Sequence, residues 1–283
     1  MQTAFSELQK KFNKISFFIV AHADDWQLFM HPFPCNDLRL AGCKVVFIIT
    51  TAGDGGMDKK FWKAREEGSN SSVRFSLASH SECNEKRGTR KFNGHNISYW
   101  SANNSISYFL RLPDGNLDSN GFTLGQYQSL SKLHKGRIKS ITTMDHSTIY
   151  YGWDDLVETM EIIIESEAEN IANRRVHYIN PNKSKNVNDH PDHITTGLLL
   201  QDMSLIESFH QSLFVGYDLQ KLHKKLRPDE IFWKAGLMAV YEKAVYDKSG
   251  YSTLKENNLL YNKWCCAPPV FVTALPKKLK YHH

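Results

Sequence analysis

The chain has 283 residues, enough to bury a sizeable core as one large α/β domain. Hydrophobic residues make up 41% of it and the mean hydropathy is −0.46, while no stretch approaches the roughly 18 apolar residues of a membrane helix. The formal charge of +5, from 35 basic and 30 acidic residues, is modest, and no nucleic-acid-binding motif accompanies it.

The first predicted element is a buried strand. Ser16 to Ala21 is a short, nearly continuous apolar run, the pattern of a strand covered on both faces in a parallel sheet. Lys44 to Thr50 repeats the pattern, and Lys59 to Ser79 is predicted to be a helix crossing the sheet. From His95 to Leu112, two runs around Ala102-Asn103-Asn104-Ser105 suggest a hairpin or a pair of strands. Asp154 to Asn173 reads as a helix, Arg175 to Asn180 as a further strand, and Pro181 to Asp189 as the loop after it. Beyond about residue 210 the pattern is weaker. Phe232 to Val245 has helical spacing, and Tyr251 to Trp264 and Val270 to Leu275 are expected to cover the main domain or shape the mouth of a site. Tyr217, Trp233, Tyr241 and Trp264 are read mainly as packing aromatics. The fold expected is α/β, Rossmann-like, with a mostly parallel sheet flanked by helices. It forms a single domain over residues 1–283, of which about 210–283 form a C-terminal elaboration.

Two short segments carry the chemistry. Ala21-His22-Ala23-Asp24-Asp25 follows the first strand, where open α/β sheets place their ligands. A helical turn starting there brings His22 and Asp25 toward one side and leaves Asp24 pointing elsewhere, free to accept a proton. His190-Pro191-Asp192-His193 opens a helix: proline is favoured at the first helical position, which makes His190 the cap and sets His193 one turn further on. One of these imidazoles can bind a metal while the other supports a developing oxyanion or leaving group. Zinc with about three protein ligands and an open position is the usual catalytic arrangement, and it makes hydrolysis the leading reading. Taken alone, an Asp-Asp pair is a common turn or cap, and His-Pro-Asp-His is a plausible polar helix start.

In this combination the chain resembles the PIG-L/LmbE-like zinc deacetylases, which remove acyl groups from N-acylated amino sugars and related molecules. Supporting segments are Thr50-Thr51-Ala52-Gly53-Asp54-Gly55, Arg65, and Leu112-Pro113-Asp114-Gly115, so the resemblance spans roughly residues 15 to 200. It implies His22, Asp25 and His193 as ligands of Zn2+ or another divalent metal, and Asp24 as general base. It implies His190 as acid or oxyanion stabiliser and Asp192 as the group orienting His190. Arg65 and Asp114 match positions that bind sugar hydroxyls; a helix-surface charge and a turn residue are their alternative readings. The implied partner is a small molecule or glycoconjugate bearing an N-acyl amino sugar.

The chain departs from the family at Ala23, usually Pro, and at Trp26, usually acidic, where an aromatic wall or altered support for the site is expected. Asn188 stands where some relatives carry Tyr. A non-catalytic, metal-containing glycan- or metabolite-binding protein is the alternative, and two-metal phosphoester hydrolysis needs more ligands than these motifs provide. Cys35, Cys43, Cys83, Cys265 and Cys266 form no spaced framework and are expected to be reduced. The segments Lys221 to Lys225 and Lys277 to Lys280 read as solvated faces. The opening residues lack a basic stretch followed by an apolar core, which favours a cytoplasmic location. Nothing here bars a homo-oligomer.

Overall fold

The molecule is built on strand β1 (Lys14–Val20), every residue of which is buried. A computed structural model describes residues 12–78, 82–221 and 225–276. β1 pairs in parallel with β2 (Cys43–Thr51) on one side and β8 (Asn173–Ile179) on the other. β2 continues in parallel to β5 (Ser105–Leu112), and β8 to β9 (His210–Phe214). Antiparallel strands finish both edges: β4 (His95–Ala102) and β3 (Glu85–Phe92) beyond β5, and β10 (Phe271–Ala274) beyond β9. The order in the eight-stranded sheet is therefore β10-β9-β8-β1-β2-β5-β4-β3. The expected mostly parallel α/β sheet is what the chain forms. A separate two-stranded ribbon joins β6 (Ile141–Thr142) to β7 (Ile149–Tyr150).

The continuous apolar runs have a direct cause. Side chains alternate across a strand, and both faces of this sheet are covered. Phe18 and Val20 of β1 enter one core with residues of α3 (Lys59–Leu77), α7 (Pro228–Ser249) and α8 (Leu254–Cys266). Ile15, Phe17 and Ile19 enter the other with residues of α5 (Trp153–Ala168), α6 (Pro191–Gln201) and the short α4 (Leu130–His134). Two short helices, α1 (Asp25–Phe29) and α2 (Phe33–Arg39), fill the β1–β2 crossover.

β3 escapes a periodicity reading because seven of its eight residues are exposed and five of those are charged, which leaves no apolar alternation. Its charges suit a solvent-facing edge, where they discourage pairing with another chain. Val270 to Leu275 contributes an edge strand rather than a cover. Of the two basic segments, Lys277 to Lys280 lies wholly and Lys221 to Lys225 partly outside the described residues. No helix of the described residues is long and apolar enough to cross a membrane, and all five cysteines are free thiols.

The strand order fixes the position of the site. From β1 the chain moves outward through β2 to β5, then returns to the opposite side of β1 as β8. The connections leaving β1 and β8 thus diverge and open a crevice at the carboxyl edge of the sheet, the place where such folds bind ligands. α6 lies close enough to β8 that a Cβ on Gly197 would come within 2.5 Å of the Ile179 carbonyl oxygen. The helix carrying His193 is held rigidly against the strand that precedes it.

Candidate active site

After β1 the backbone turns at Ala21, and the Asp25 carboxylate accepts the His22 N–H at 2.7 Å, which ties the two side chains to one side of the turn. Across the crevice His190 caps α6: its Nδ1 accepts the Asp192 N–H at 3.2 Å, and Pro191 occupies the first turn. One turn on, His193 is fully buried and meets the first segment. His193 Nε2 lies 3.2 Å from His22 Nδ1 and 3.1 Å from Asp25 Oδ1, and His22 Nδ1 is 3.7 Å from the same oxygen.

These separations fit a cation. A tetrahedral ion about 2.0–2.2 Å from nitrogen and oxygen donors holds them about 3.3–3.6 Å apart, close to the observed separations, and three such atoms converge here on buried side chains. Asp189, which the sequence reading left in a loop, accepts from His193 Nδ1 at 2.7 Å. A carboxylate behind a ligating imidazole fixes its tautomer and raises its basicity. The signal was present as an acidic residue four positions before His193. Burial alone would lower the His193 pKa, but Asp25 and Asp189 outweigh it and raise it to about 10. Burial likewise opposes ionisation of Asp25, yet His193 and His22 hold its carboxyl far below the usual range. The pocket therefore attracts positive charge, carried by protons when no metal ion displaces them. Asp189→Asn is expected to keep the fold and weaken metal affinity about 10- to 100-fold, read by titration with a competing chelator; unchanged affinity would leave Asp189 as a helix-start residue only.

Asp192, Asp114 and His190 form the adjoining wall. Asp192 is fully buried; its Oδ2 accepts the Gly115 N–H at 2.9 Å and lies 3.5 Å from His22 Nε2 and 3.7 Å from His190 Nδ1. The backbone N–H of residue 192 thus sets the His190 ring, while its carboxylate sits slightly nearer His22. Asp114, after β5, accepts from Asn116 N at 2.8 Å and Gly55 N at 3.3 Å, and its Oδ1 is 3.8 Å from His190 Nε2. Burial pushes His190 down to about 4, against the pull of Asp192. The ring is then neutral, with Nδ1 occupied as an acceptor and Nε2–H left to donate. His22, Asp114, His190 and Asp192 also offer four clustered donor atoms. This second grouping shares His22 with the first and reads as the carboxylate support behind it.

Asp24 stands outside both groupings. Its Oδ1 receives Arg65 Nη2, and its Oδ2 receives the Tyr261 hydroxyl at 2.7 Å. Arg65 extends from α3 and also donates through Nε to Tyr241 Oη at 2.9 Å and through Nη1 to Gly53 O at 2.6 Å. Gly53, at φ +56°, leaves room for this guanidinium; a Cβ there would sit 2.7 Å from Arg65 Nη1.

All eight residues singled out in the sequence converge on this crevice. The family model described as PIG-L, GlcNAc-PI de-N-acetylase, matches residues 17–204, roughly two thirds of the chain. The chain belongs to the PIG-L family. Among solved structures, N,N′-diacetylchitobiose deacetylase from Pyrococcus horikoshii aligns at 16% identity and a TM-score of 0.46, over 98% of this chain and 93% of that one. The zinc-inhibited form of teicoplanin deacetylase Orf2 aligns at 14% identity and 0.47, over 92% and 99%. The 4-carboxy-2-hydroxymuconate hydratase GalB from Pseudomonas putida aligns at 10% and 0.43, over 93% and 97%. No curated protein sequence matches the chain.

The PIG-L motifs of this chain open onto a cleft of about 370 Å³ lined by His22, Asp24, Asp25, Arg65, Asp114 and His190. Its opposite wall comes from beyond the PIG-L match: Tyr217, Tyr251, Ser252, Thr253, Tyr261 and Trp264. Tyr217 and Trp264 stack at 4.8 Å. Trp233 and Tyr241 do the packing expected of them, against Phe75 and in the α3–α7 contact respectively. Trp26 forms no aromatic wall. It is fully buried, donates to Ser69 Oγ at 2.9 Å and packs on Phe47, so it belongs to the core.

Proposed function

We propose that this protein is a metal-dependent hydrolase that removes an acetyl group from an N-acetylated amino sugar or glycoconjugate. The observation that carries the reading is the placement of Asp24: a buried carboxylate on the cleft wall, beside the three convergent donors but not one of them. A protein that only stores or displays a metal has no use for such a group, which weighs against a purely binding role. A two-metal phosphoesterase needs two independent ligand sets, and the second donor grouping here borrows His22 from the first.

In this reading His22, Asp25 and His193 hold the ion. Zinc or another divalent ion bound there supplies a Lewis acid that polarises the amide carbonyl and acidifies water. Asp24 accepts the proton of the attacking water; each of its oxygens still has a lone pair beyond the bonds from Arg65 and Tyr261. His190 donates Nε2–H to the oxyanion, because its other nitrogen is committed to capping α6. A neutral imidazole is a poor acid for the departing amine, so the proton collected by Asp24 is the one returned to nitrogen. Asp114 retains lone pairs for a sugar hydroxyl. Arg65 has three nitrogens already engaged, which makes it chiefly the holder of Asp24.

The test is acetate release from N-acetylglucosamine and N,N′-diacetylchitobiose, with metal content measured on the same preparations. One acetate per free amine is expected, lost on chelation and restored by Zn2+. Metal-replete protein that binds these sugars without releasing acetate would instead favour the binding-protein reading.

A further inference from the structure

The carboxylate assigned as base is held by a residue from the far end of the chain. Tyr261 is on α8, 237 positions from Asp24. The residue is 9% exposed, its hydroxyl reaches Asp24 Oδ2 at 2.7 Å, and it lines the cleft. Arg65 takes the other carboxylate oxygen. An aspartate has two side-chain torsions, and one donor on a single oxygen leaves the carboxylate free to swing about that bond. Two donors on different oxygens define its plane and direct the remaining lone pairs.

α8 is itself anchored on this side of the cleft. Trp264 Nε1 donates to Tyr217 O at 3.1 Å, and the buried Lys234 Nζ on α7 donates to Trp264 O at 2.6 Å and Ala267 O at 3.1 Å, where the helix ends. A cation at the last carbonyls of a helix satisfies groups that have no partner within it. The hydroxyl of Tyr261 is thus delivered to Asp24 by a fixed element, not by a loose terminal segment.

We propose that Tyr261 is a positioning residue for Asp24, so that the proton-transfer apparatus is completed by the C-terminal helix, outside the segment the family match covers. The proposal rests on the reading of Asp24 as base and extends it. It predicts an effect on turnover more than on binding, because misplacing a reacting group by a fraction of an ångström costs rate while the cleft still accepts substrate.

The experiment is a double-mutant cycle on the full chain loaded with metal, read as kcat, KM, metal content and thermal melting. Tyr261→Phe, which removes one oxygen and keeps the ring, is expected to lower kcat about tenfold or more with KM within about twofold and metal content unchanged. Replacing Tyr261 by 3-fluorotyrosine, which keeps the hydroxyl donor, should retain most of kcat and so separates the hydrogen bond from packing. In the Asp24→Asn background, Tyr261→Phe should cost little more, because its effect runs through the missing carboxylate. Wild-type kcat in Tyr261→Phe, equal losses in the Phe and fluorotyrosine variants, or fully additive losses in the cycle would each overturn the role of Tyr261. An active wild type with impaired Asp24→Asn and normal Tyr261→Phe leaves the proposed hydrolysis standing; absence of acetate release from the wild type removes that reading instead.

Discussion

His193→Ala is expected to empty the metal site and take activity with it. His193 contributes one of three convergent donors, at 3.2 and 3.1 Å from the other two, and losing a direct ligand should exceed the roughly 10- to 100-fold affinity loss typical of a supporting partner. The fold should suffer as well. His193 is fully buried between Asp25 and Asp189, so its removal leaves two carboxylates without the group that balanced them. Stranding a buried charge in this way costs on the order of 3–5 kcal/mol. Metal content by elemental analysis should fall well below one per chain, kcat/KM should fall in parallel, and the melting temperature should drop even in chelator. A variant with full metal occupancy and normal turnover would move the site away from this triangle.

The second large effect separates metal from chemistry. Asp24→Asn preserves volume but replaces a carboxylate by an amide that cannot accept the proton of water, so turnover should fall about 10²-fold or more. Metal content should stay at the wild-type level, since the Asp24 oxygens face Arg65 and Tyr261 and not the three donors. A moderate loss of stability is expected beside it. Arg65 loses its ionic partner while keeping the Gly53 carbonyl and the Tyr241 hydroxyl, and the new amide must turn its oxygen toward the guanidinium. Near-normal acetate release by metal-loaded Asp24→Asn would require another base.

These two expectations differ in origin. That His22, Asp25 and His193 belong together follows from motif and resemblance, and the three atoms do converge. That Asp24 stays apart from them was anticipated from helical spacing. That it is gripped by Arg65 and Tyr261 was not: Arg65, expected as a sugar contact, lines the cleft and is also paired with the Asp24 carboxylate. His190 shows the same division. Its capping of α6 was readable from the proline after it, but the consequence, a ring nitrogen committed to the Asp192 N–H instead of the Asp192 carboxylate, needed the distances.

By itself the sequence determined what is local: buried strands from unbroken apolar runs, a helix start from His-Pro-Asp, and two short segments of candidate ligands, one after the first strand and one at that helix start. Each of those signals is written within a few residues, where strand alternation, helix capping and turn geometry operate. Only the tertiary structure decided the strand order that opens the crevice between β1 and β8, the charged edge strand β3, the burial of Trp26, and the Tyr261 hydroxyl on Asp24. The physical reason is that these depend on which surfaces meet after the chain has folded. A hydrogen bond between residues 237 positions apart leaves no periodicity in either segment, and an exposed strand is stabilised by its neighbour's backbone rather than by an apolar pattern of its own.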